Sequence, residues 1–328
     1  MDSIIPPKLR AGDTIRVVAP SRSLNIVSGR VRANADTQLK QLGLNVTFGK
    51  HSNDVDAFGS SSIEARLQDL HDALRDPSVS AILTAIGGYN TNQLLDGFDY
   101  GLCRRNPKII CGFSDITVLQ NAILARSGVV TYSGPHYSTF GMLKGLDYTV
   151  EYFKRALFSG AAFEVCPASD WSDDHWFEDQ EKRKFVPNEG YWVIQAGSAR
   201  GPAIGGNLCS FTLLKGTPYM PGLEGTLLFL ECTGGTNLQE FDRDLQSILQ
   251  LPAIGGVRGL VLGRFQPESR ITREDILAVI RGKRVFNGIP VIANCDFGHT
   301  TPHITFPVGG IISLKAELGG AVLRVESH

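Results

Sequence analysis

Ser114, in the string GFSD, is a candidate nucleophile. The string follows the apolar run KIIC and precedes the helical pattern ITVLQNAILA. A serine on such a strand-to-helix turn presents its hydroxyl at a helix N-terminus, as in a nucleophile elbow, although the string here is G-x-S-D rather than G-x-S-x-G. Serine is also a common helix N-cap, so the motif by itself leaves a structural role open.

A histidine base and a carboxylate that orients its ring would complete a hydrolytic triad. Among the seven histidines, His299 follows the predicted strand IPVIAN in the loop NCDFGHTTPH, and His136 and His303 are competing bases. Glu231 ends the apolar run LLFLE, where a lone acid is costly unless it has a partner. A hydrated carboxylate at a strand end is the alternative interpretation of Glu231.

The string IGGYN (86–90) is a candidate oxyanion hole. Paired glycines let the backbone approach a ligand closely. The amides of Gly88 and of Asp115, the residue after the serine, would supply the two donors that acyl transfer requires. A tight turn between a strand and a helix would explain the same glycines.

Short apolar runs alternate with amphipathic stretches over the first 135 residues. Near-continuous apolar strands that alternate with helices indicate an α/β fold, with a parallel sheet covered by helices on both faces. Ligands of such sheets bind beyond the carboxyl ends of the strands, which here are the strings IGGYN, GFSD and SGPH. The predicted strands are TIRVVAP (14–20), LNVTFG (44–49), AILTAIGG (81–88), KIICGF (108–113) and VVTYSG (129–134), and the predicted helices span 30–42 and 61–77.

A polar, irregular segment interrupts this alternation at 164–190 and carries Trp171, Trp176 and Phe177. It is too long for a simple connection and is interpreted as a linker or a lid over a site. We predict an N-terminal domain at 1–163 and a smaller mixed α/β domain at 191–328. The later strands are predicted in YWVIQAG, GTLLFLEC, RGLVLGRF, IPVIAN and IISLKAEL, with a helix at 236–251.

The charge balance excludes a global electrostatic attraction to nucleic acid or to anionic membranes. The 328 residues carry a formal net charge of −1. No apolar stretch approaches the ~20 residues that span a bilayer, and the N-terminus lacks an apolar signal segment. We therefore predict a cytoplasmic protein with neither a nucleic-acid nor a membrane partner. The cysteines have no metal-ligand spacing, so they predict buried thiols and no metal site: Cys103, Cys111, Cys166, Cys209, Cys232 and Cys295.

Seven strings in one order resemble the LD-carboxypeptidase family, which includes the microcin C immunity proteins. The resemblance covers roughly residues 10–315, and the segment WSDDHWFEDQ…FVPNEGYWVI (171–194) is similar to the microcin C immunity branch. The strings are AIGGYNTNQLL, GFSDIT, TYSGPH, GPAIGGNLCSFTLLKGTPY, GTLLFLE, GLVLGRF and NCDFGHTTPHITFPVGG.

This resemblance implies a role for each candidate residue. Ser114 would be the nucleophile, His299 its base and Glu231 the carboxylate that orients the base. The amides of Gly88 and Asp115 would form the oxyanion hole. The family's fold would place the serine in a Rossmann-like N-terminal domain, and the glutamate and histidine in the C-terminal domain. The site would lie between the domains, usually in a homodimer, with no metal or organic cofactor.

Hydrolysis through an acyl-enzyme is the expected reaction, and two substrates compete. One is the amide between an aminoacyl group and a modified nucleotide, on whose purine Trp171, Trp176 or Phe177 could stack. The other is a murein tetrapeptide that releases its terminal D-amino acid. Aromatic side chains that merely hold a lid in place are the alternative to stacking. A non-catalytic binding module and a thiol enzyme that uses Cys111 or Cys232 are the remaining alternatives.

Overall fold

The computed structural model describes residues 3–328, which form two sheets and the helices around them. The helices are α1 (Gly29–Gln41), α2 (Ile63–Arg75), α3 (Tyr100–Arg105), α4 (Thr117–Ser127), α5 (Asp147–Leu157), α6 (Leu208–Thr212), α7 (Leu238–Ile248) and α8 (Arg273–Arg281). The strands are β1 (Thr14–Val18), β2 (Asn45–Phe48), β3 (Val79–Thr84), β4 (Ile109–Gly112), β5 (Thr131–Ser133), β6 (Phe163–Val165), β7 (Asp170–Trp171), β8 (Val186–Pro187), β9 (Trp192–Gln195), β10 (Gly197–Asn207), β11 (Leu227–Glu231), β12 (Gly259–Gly263), β13 (Val291–Cys295), β14 (Phe306–Val308), β15 (Ile311–Glu317) and β16 (Gly320–Ser327).

The first sheet has the strand order β14-β5-β4-β3-β1-β2, and its five N-terminal strands are parallel. Alternate residues of β3 enter different hydrophobic clusters. Ala81 and Leu83 pack with α1 and α5, whereas Ile82 packs with α2, α3 and α4. Helices therefore cover both faces of the sheet, and this explains why β4 and β5 are buried along their whole length.

The second sheet is mixed, with the order β6-β16-β15-β10-β11-β12-β13-β9. Strands β10 to β13 are parallel, and β9, β15, β16 and β6 pair antiparallel around them. This arrangement confirms the predicted fold class of a parallel-rich N-terminal sheet with a second α/β part.

Chain segments cross between the two sheets. The late strand β14 pairs antiparallel with β5 of the first sheet, and β6 pairs with β16 of the second. Both hydrophobic clusters contain residues of both sheets. The domain limits at 163 and 190 stay a prediction, since strand pairing and core packing run across them. Within residues 3–328, no helix has both the length and the apolar character needed to cross a bilayer.

Candidate active site

Ser114 lies at the carboxyl end of β4, where a short 3-10 turn leads into α4. Its φ is 60°, in the left-handed region that few non-glycine residues adopt. Such backbone strain persists only where the surrounding structure enforces it, and it is frequent at active sites. The turn lifts the Ser114 side chain above the sheet edge, as the GFSD string predicts.

The structure brings Ser114, His299 and Glu231 together, although 185 and 68 residues separate the successive partners. His299 Nε2 lies 3.1 Å from Ser114 Oγ, and His299 Nδ1 lies 2.8 Å from Glu231 Oε2. Glu231 is the last residue of β11 and is 3% exposed. Gly298 allows this approach, because a Cβ there would lie 2.9 Å from Glu231 Oε2. The hydroxyl, imidazole and carboxylate thus form one continuous relay.

Opposing effects set the proton affinity of His299. Burial lowers the pKa of its imidazole, but the charge and hydrogen bond of Glu231, helped by the charge of Asp173, raise that pKa above the usual 6.5. The side chain still keeps 21% of its surface exposed. The imidazole of His299 therefore binds a proton more tightly than a free histidine does and remains accessible from the solvent.

The competing histidines lack a carboxylate partner. Burial lowers the pKa of His303 to about 4 and holds that of His136 well below 6.5. His136 Nδ1 contacts Thr84 Oγ1 at 2.6 Å, and the buried Nε2 atoms of both rings have no hydrogen-bond partner among residues 3–328. Both rings pack on Phe113, with centroid distances of 4.4 Å and 5.0 Å. They line the site as neutral rings, and the structure places neither in hydrogen-bond contact with Ser114.

Gly88 lies on the loop after β3 that packs against Ser114, where a Cβ at Gly87 would lie 3.1 Å from Ser114 Cβ. Asp115 directly follows the serine. Within residues 3–328, neither the Gly88 amide nor the Asp115 amide donates a hydrogen bond to a protein acceptor. A Cβ at Gly88 would collide with Ser21 Oγ and would lie 2.6 Å from Arg22 Cγ, so only glycine fits there. The Asp115 carboxylate is buried and accepts bonds from Ser21 Oγ and from Thr91 N at 2.9 Å. That carboxylate ties the turn after Ser114 to two neighbouring loops, a contact that the sequence did not reveal.

A cavity of about 380 Å³ opens over the relay. Trp176 and Phe177 line it together with Ser114 and His299. Trp171 does not line this cavity. Its ring lies 4.8 Å from the guanidinium of Arg264, beside a separate pocket. Of the three aromatic residues predicted to contact the substrate, two therefore line the cavity that contains Ser114.

A buried ion pair fastens the 164–190 segment beside the site. Arg264 Nη2 lies 2.8 Å from Asp296 Oδ1, and both side chains are at most 3% exposed. The Asp296 carboxylate accepts a bond from the Ala168 amide at 2.9 Å and lies 3.4 Å from Asn188 Nδ2. One carboxylate therefore holds both ends of the segment, three residues before His299. In the sequence, the only indication of this ion pair is that Arg264 lies near the end of the predicted strand RGLVLGRF and Asp296 two residues after the predicted strand IPVIAN.

The thiols are poorly suited to nucleophilic chemistry. Burial raises the pKa of Cys111 and of Cys232, with the charge of Glu231 adding to the shift at Cys232. A thiol whose pKa is raised by burial is an inert one. The prediction that the cysteines are buried is wrong for Cys166 and Cys209, which are exposed. Residues 3–328 contain no group of three or more His, Cys, Asp or Glu side chains able to hold a metal ion.

Comparison with known families gives the assignment. The profile of the LD-carboxypeptidase N-terminal domain matches residues 15–134, and that of the C-terminal domain matches residues 200–314. The chain belongs to the LD-carboxypeptidase family. Because the family is one of serine peptidases, this membership supports a hydrolase of the carboxypeptidase type.

Relatives of this LD-carboxypeptidase family member cover nearly its whole length. It is 50% identical over 321 residues to YocD of Bacillus subtilis (98% of this chain and 99% of that protein). It is 31% identical over 323 residues to the microcin C7 self-immunity protein MccF of Escherichia coli (93% and 91%). The crystal structure of an MccF-like protein from Bacillus anthracis matches with a TM-score of 0.98 and 49% identity, over 99% of this chain and 100% of that one.

Proposed function

We propose that this protein is a serine amide hydrolase that cleaves the amide between an aminoacyl group and a nucleotide, as in processed microcin C. The observation that carries the proposal is the relay from Ser114 Oγ through His299 to Glu231, with contacts of 3.1 Å and 2.8 Å. A nucleophile next to a base that a third group orients is the arrangement that covalent catalysis requires.

The reaction would proceed in two halves. His299 Nε2 takes the proton from Ser114 Oγ as that oxygen bonds to the amide carbon, and the carbonyl electrons move to oxygen. The amides of Gly88 and Asp115 stabilise this oxyanion, and loss of one such donor typically costs about 3–4 kcal/mol of activation free energy. The intermediate collapses, the C–N bond breaks and His299 gives its proton to the leaving nitrogen. Water then repeats the attack on the ester, and Ser114 leaves with the proton from His299.

The aromatic lining of the cavity favours a nucleotide in the substrate. The Phe177 ring is 59% exposed although it lines the cavity, and it stands nearly perpendicular to Trp176, at 82°. Two rings at right angles offer one face for stacking and one edge for contact with a flat base. The similarity to MccF, a microcin C7 self-immunity protein, agrees with this choice.

Release of a terminal D-amino acid from a murein tetrapeptide is the second candidate. The family match supports it, since both matching profiles describe LD-carboxypeptidase domains. The same relay and oxyanion amides would serve this reaction, because both substrates are hydrolysed at an amide carbonyl.

A hydrolysis panel with an aminoacyl sulfamoyl adenosine and a murein tetrapeptide tests both candidates. We expect Ser114→Ala to abolish turnover of either substrate and labelling by a serine-reactive phosphonate, with its thermal unfolding unchanged. Ser198→Ala, at an exposed serine of β10, is the matched control and should keep both. Turnover by folded Ser114→Ala would refute the nucleophile, and binding without turnover by the wild type would indicate a binding module.

We further propose that the protein acts in the cytoplasm as a homodimer. Light scattering coupled to gel filtration tests the dimer, and a monomer at micromolar concentration would refute it.

A further inference from the structure

Arg22 is the only permanently charged side chain among the residues of the described chain that line the cavity. The other polar lining groups are hydroxyls and imidazoles, with no aspartate, glutamate or lysine among them. Within residues 3–328, no carboxylate lies within ion-pair distance of the Arg22 guanidinium. The cavity therefore carries one cation that forms no ion pair with a carboxylate of the described residues 3–328.

The stem of Arg22 packs against Gly88, whose amide is one of the two proposed oxyanion donors. Its Cγ would lie 2.6 Å from a Cβ placed on Gly88, and its amide donates to the Gly87 carbonyl at 3.3 Å. Arg22 also lines an adjoining apolar cavity of about 410 Å³, which it shares with Trp176 and Phe177. Arg22 is an exposed residue, so its guanidinium is accessible to a ligand that enters either cavity.

The leaving groups of both candidate substrates share one chemical feature. A D-amino acid carries its carboxylate two bonds from the scissile nitrogen, and a phosphoryl nucleotide carries an anionic phosphoryl group directly on that nitrogen. In an aminoacyl sulfamoyl nucleotide the scissile N–H is itself acidic, and its negative charge is shared with the sulfonyl oxygens. A guanidinium matches the geometry of carboxylate and phosphate oxygens with two parallel N–H donors.

We propose that Arg22 binds the anionic group that the leaving group carries beside the scissile amide. The proposal rests on the proposed function and assigns this site a preference for amides whose leaving group is negatively charged. Binding of that anion fixes the position of the amide carbonyl relative to Ser114, because the Arg22 stem and Gly88 are in direct contact.

The test combines removal of the cation with removal of the anion. Wild type, Arg22→Gln and the control Arg30→Gln, at an exposed arginine of α1, are assayed on a murein tetrapeptide and on the same peptide with a C-terminal carboxamide. A charged hydrogen-bonded contact corresponds to a loss of about 10–100-fold in kcat/KM. We expect that loss for Arg22→Gln on the acid, a loss of at most about twofold on the carboxamide, and no loss for Arg30→Gln.

An aminoacyl sulfamoyl adenosine forms the second arm and distinguishes the source of the anion. If Arg22→Gln loses activity only on this substrate, Arg22 binds the anionic linkage of the nucleotide. If it loses activity on this substrate and on the tetrapeptide acid, Arg22 binds both kinds of anion. Equal losses on acid and carboxamide, or no loss on any substrate, would overturn the proposal.

Binding separates this inference from the proposed function. In calorimetry, the Ser114→Ala protein should bind the tetrapeptide acid more tightly than its carboxamide, and the Ser114→Ala/Arg22→Gln protein should not distinguish them. That result supports Arg22 even if the wild type hydrolyses neither peptide. If neither peptide is preferred, binding of the aminoacyl sulfamoyl adenosine is compared with binding of free sulfamoyl adenosine in the same two proteins. If Arg22→Gln leaves the preference between these two compounds unchanged, the anion site is refuted.

Discussion

Replacement of Glu231 by glutamine tests the relay most directly, because it removes a charge while keeping the shape of the side chain. Glu231 is the carboxylate that raises the pKa of His299 against the effect of burial. A neutral base is needed to accept the serine proton. Activity of the wild type should therefore fall as the pH decreases through a value above 6.5. In Glu231→Gln only the charge of Asp173 still opposes the effect of burial on the His299 pKa, so this acidic limb should move to lower pH.

Two effects are expected. The charge of Glu231, whose Oε2 lies 2.8 Å from His299 Nδ1, is the main effect that raises the pKa of the imidazole, so its loss should displace the acidic limb towards lower pH. Loss of the carboxylate also removes the acceptor that fixes the imidazole tautomer, which lowers kcat by about 10⁴-fold in a serine protease triad. We expect a plateau in kcat about 10²- to 10⁴-fold below that of the wild type.

The assay measures kcat and kcat/KM separately between pH 5 and 9, on whichever panel substrate the wild type hydrolyses. Folding needs its own check, because Glu231 Oε1 has no partner among residues 3–328. An amide nitrogen buried there without an acceptor costs about 1–3 kcal/mol of unfolding free energy. A folded Glu231→Gln protein with wild-type activity, or with an unmoved acidic limb, would refute the role of the carboxylate.

Three further substitutions probe the surroundings of the relay. Trp176→Ala should raise KM for the aminoacyl sulfamoyl adenosine about tenfold or more and leave the tetrapeptide little changed, with Phe58→Ala (83% exposed) as control; equal effects on both substrates contradict stacking. In His303→Gln the unfolding free energy should decrease less on acidification than in the wild type. Folding favours the neutral ring of His303, because its folded-state pKa is about 4 against about 6.5 when unfolded. This stabilisation is fully present above pH 6.5, and about 3 kcal/mol of it is lost as the pH falls towards 4; the same pH dependence of the unfolding free energy in both proteins, measured by denaturant titration, contradicts this. Asp296→Asn should lower the unfolding free energy by about 3–5 kcal/mol by leaving Arg264 buried and unpaired, and should speed proteolysis within 168–188; cleavage at the wild-type rate contradicts the anchoring role.

The sequence predicted the residues of the relay because each stands at a strand end that is visible as an apolar run. Helices α1 and α2 begin and end within two residues of their predicted limits, since serine caps and apolar spacing mark them. Strand β10 escaped prediction because its glycines are typical of turns. Here they allow close packing: a Cβ at Gly201 would collide with the Gly225 carbonyl, and one at Gly205 with that of Phe229.

Long-range polar contacts explain most of what the sequence left open. Nothing in the strings around Asp115 or Asp296 shows that each carboxylate ties two distant loops together. Trp171 and Trp176 lie five residues apart in a segment without helical or strand periodicity. The sequence therefore could not tell which ring faces the serine and which lies over Arg264.

The relay divides between the two sheets, and one contact between them sets its dimensions. The first sheet supplies Ser114, and the second supplies Glu231 and His299, each at or just beyond a strand carboxyl end. Helix α4 begins three residues after Ser114, and its Asn121 bonds β10 twice, donating to the Gly205 carbonyl at 2.9 Å and accepting from the Gly205 amide at 3.1 Å.

Strand β10 in turn lies beside β11, with Asn207 in register with Glu231. The helix that follows Ser114 is thus bonded to the strand that neighbours Glu231. Because these contacts are buried and amide-mediated, the 3.1 Å contact between His299 and Ser114 is a property of the packed sheets rather than of a hinge that must close.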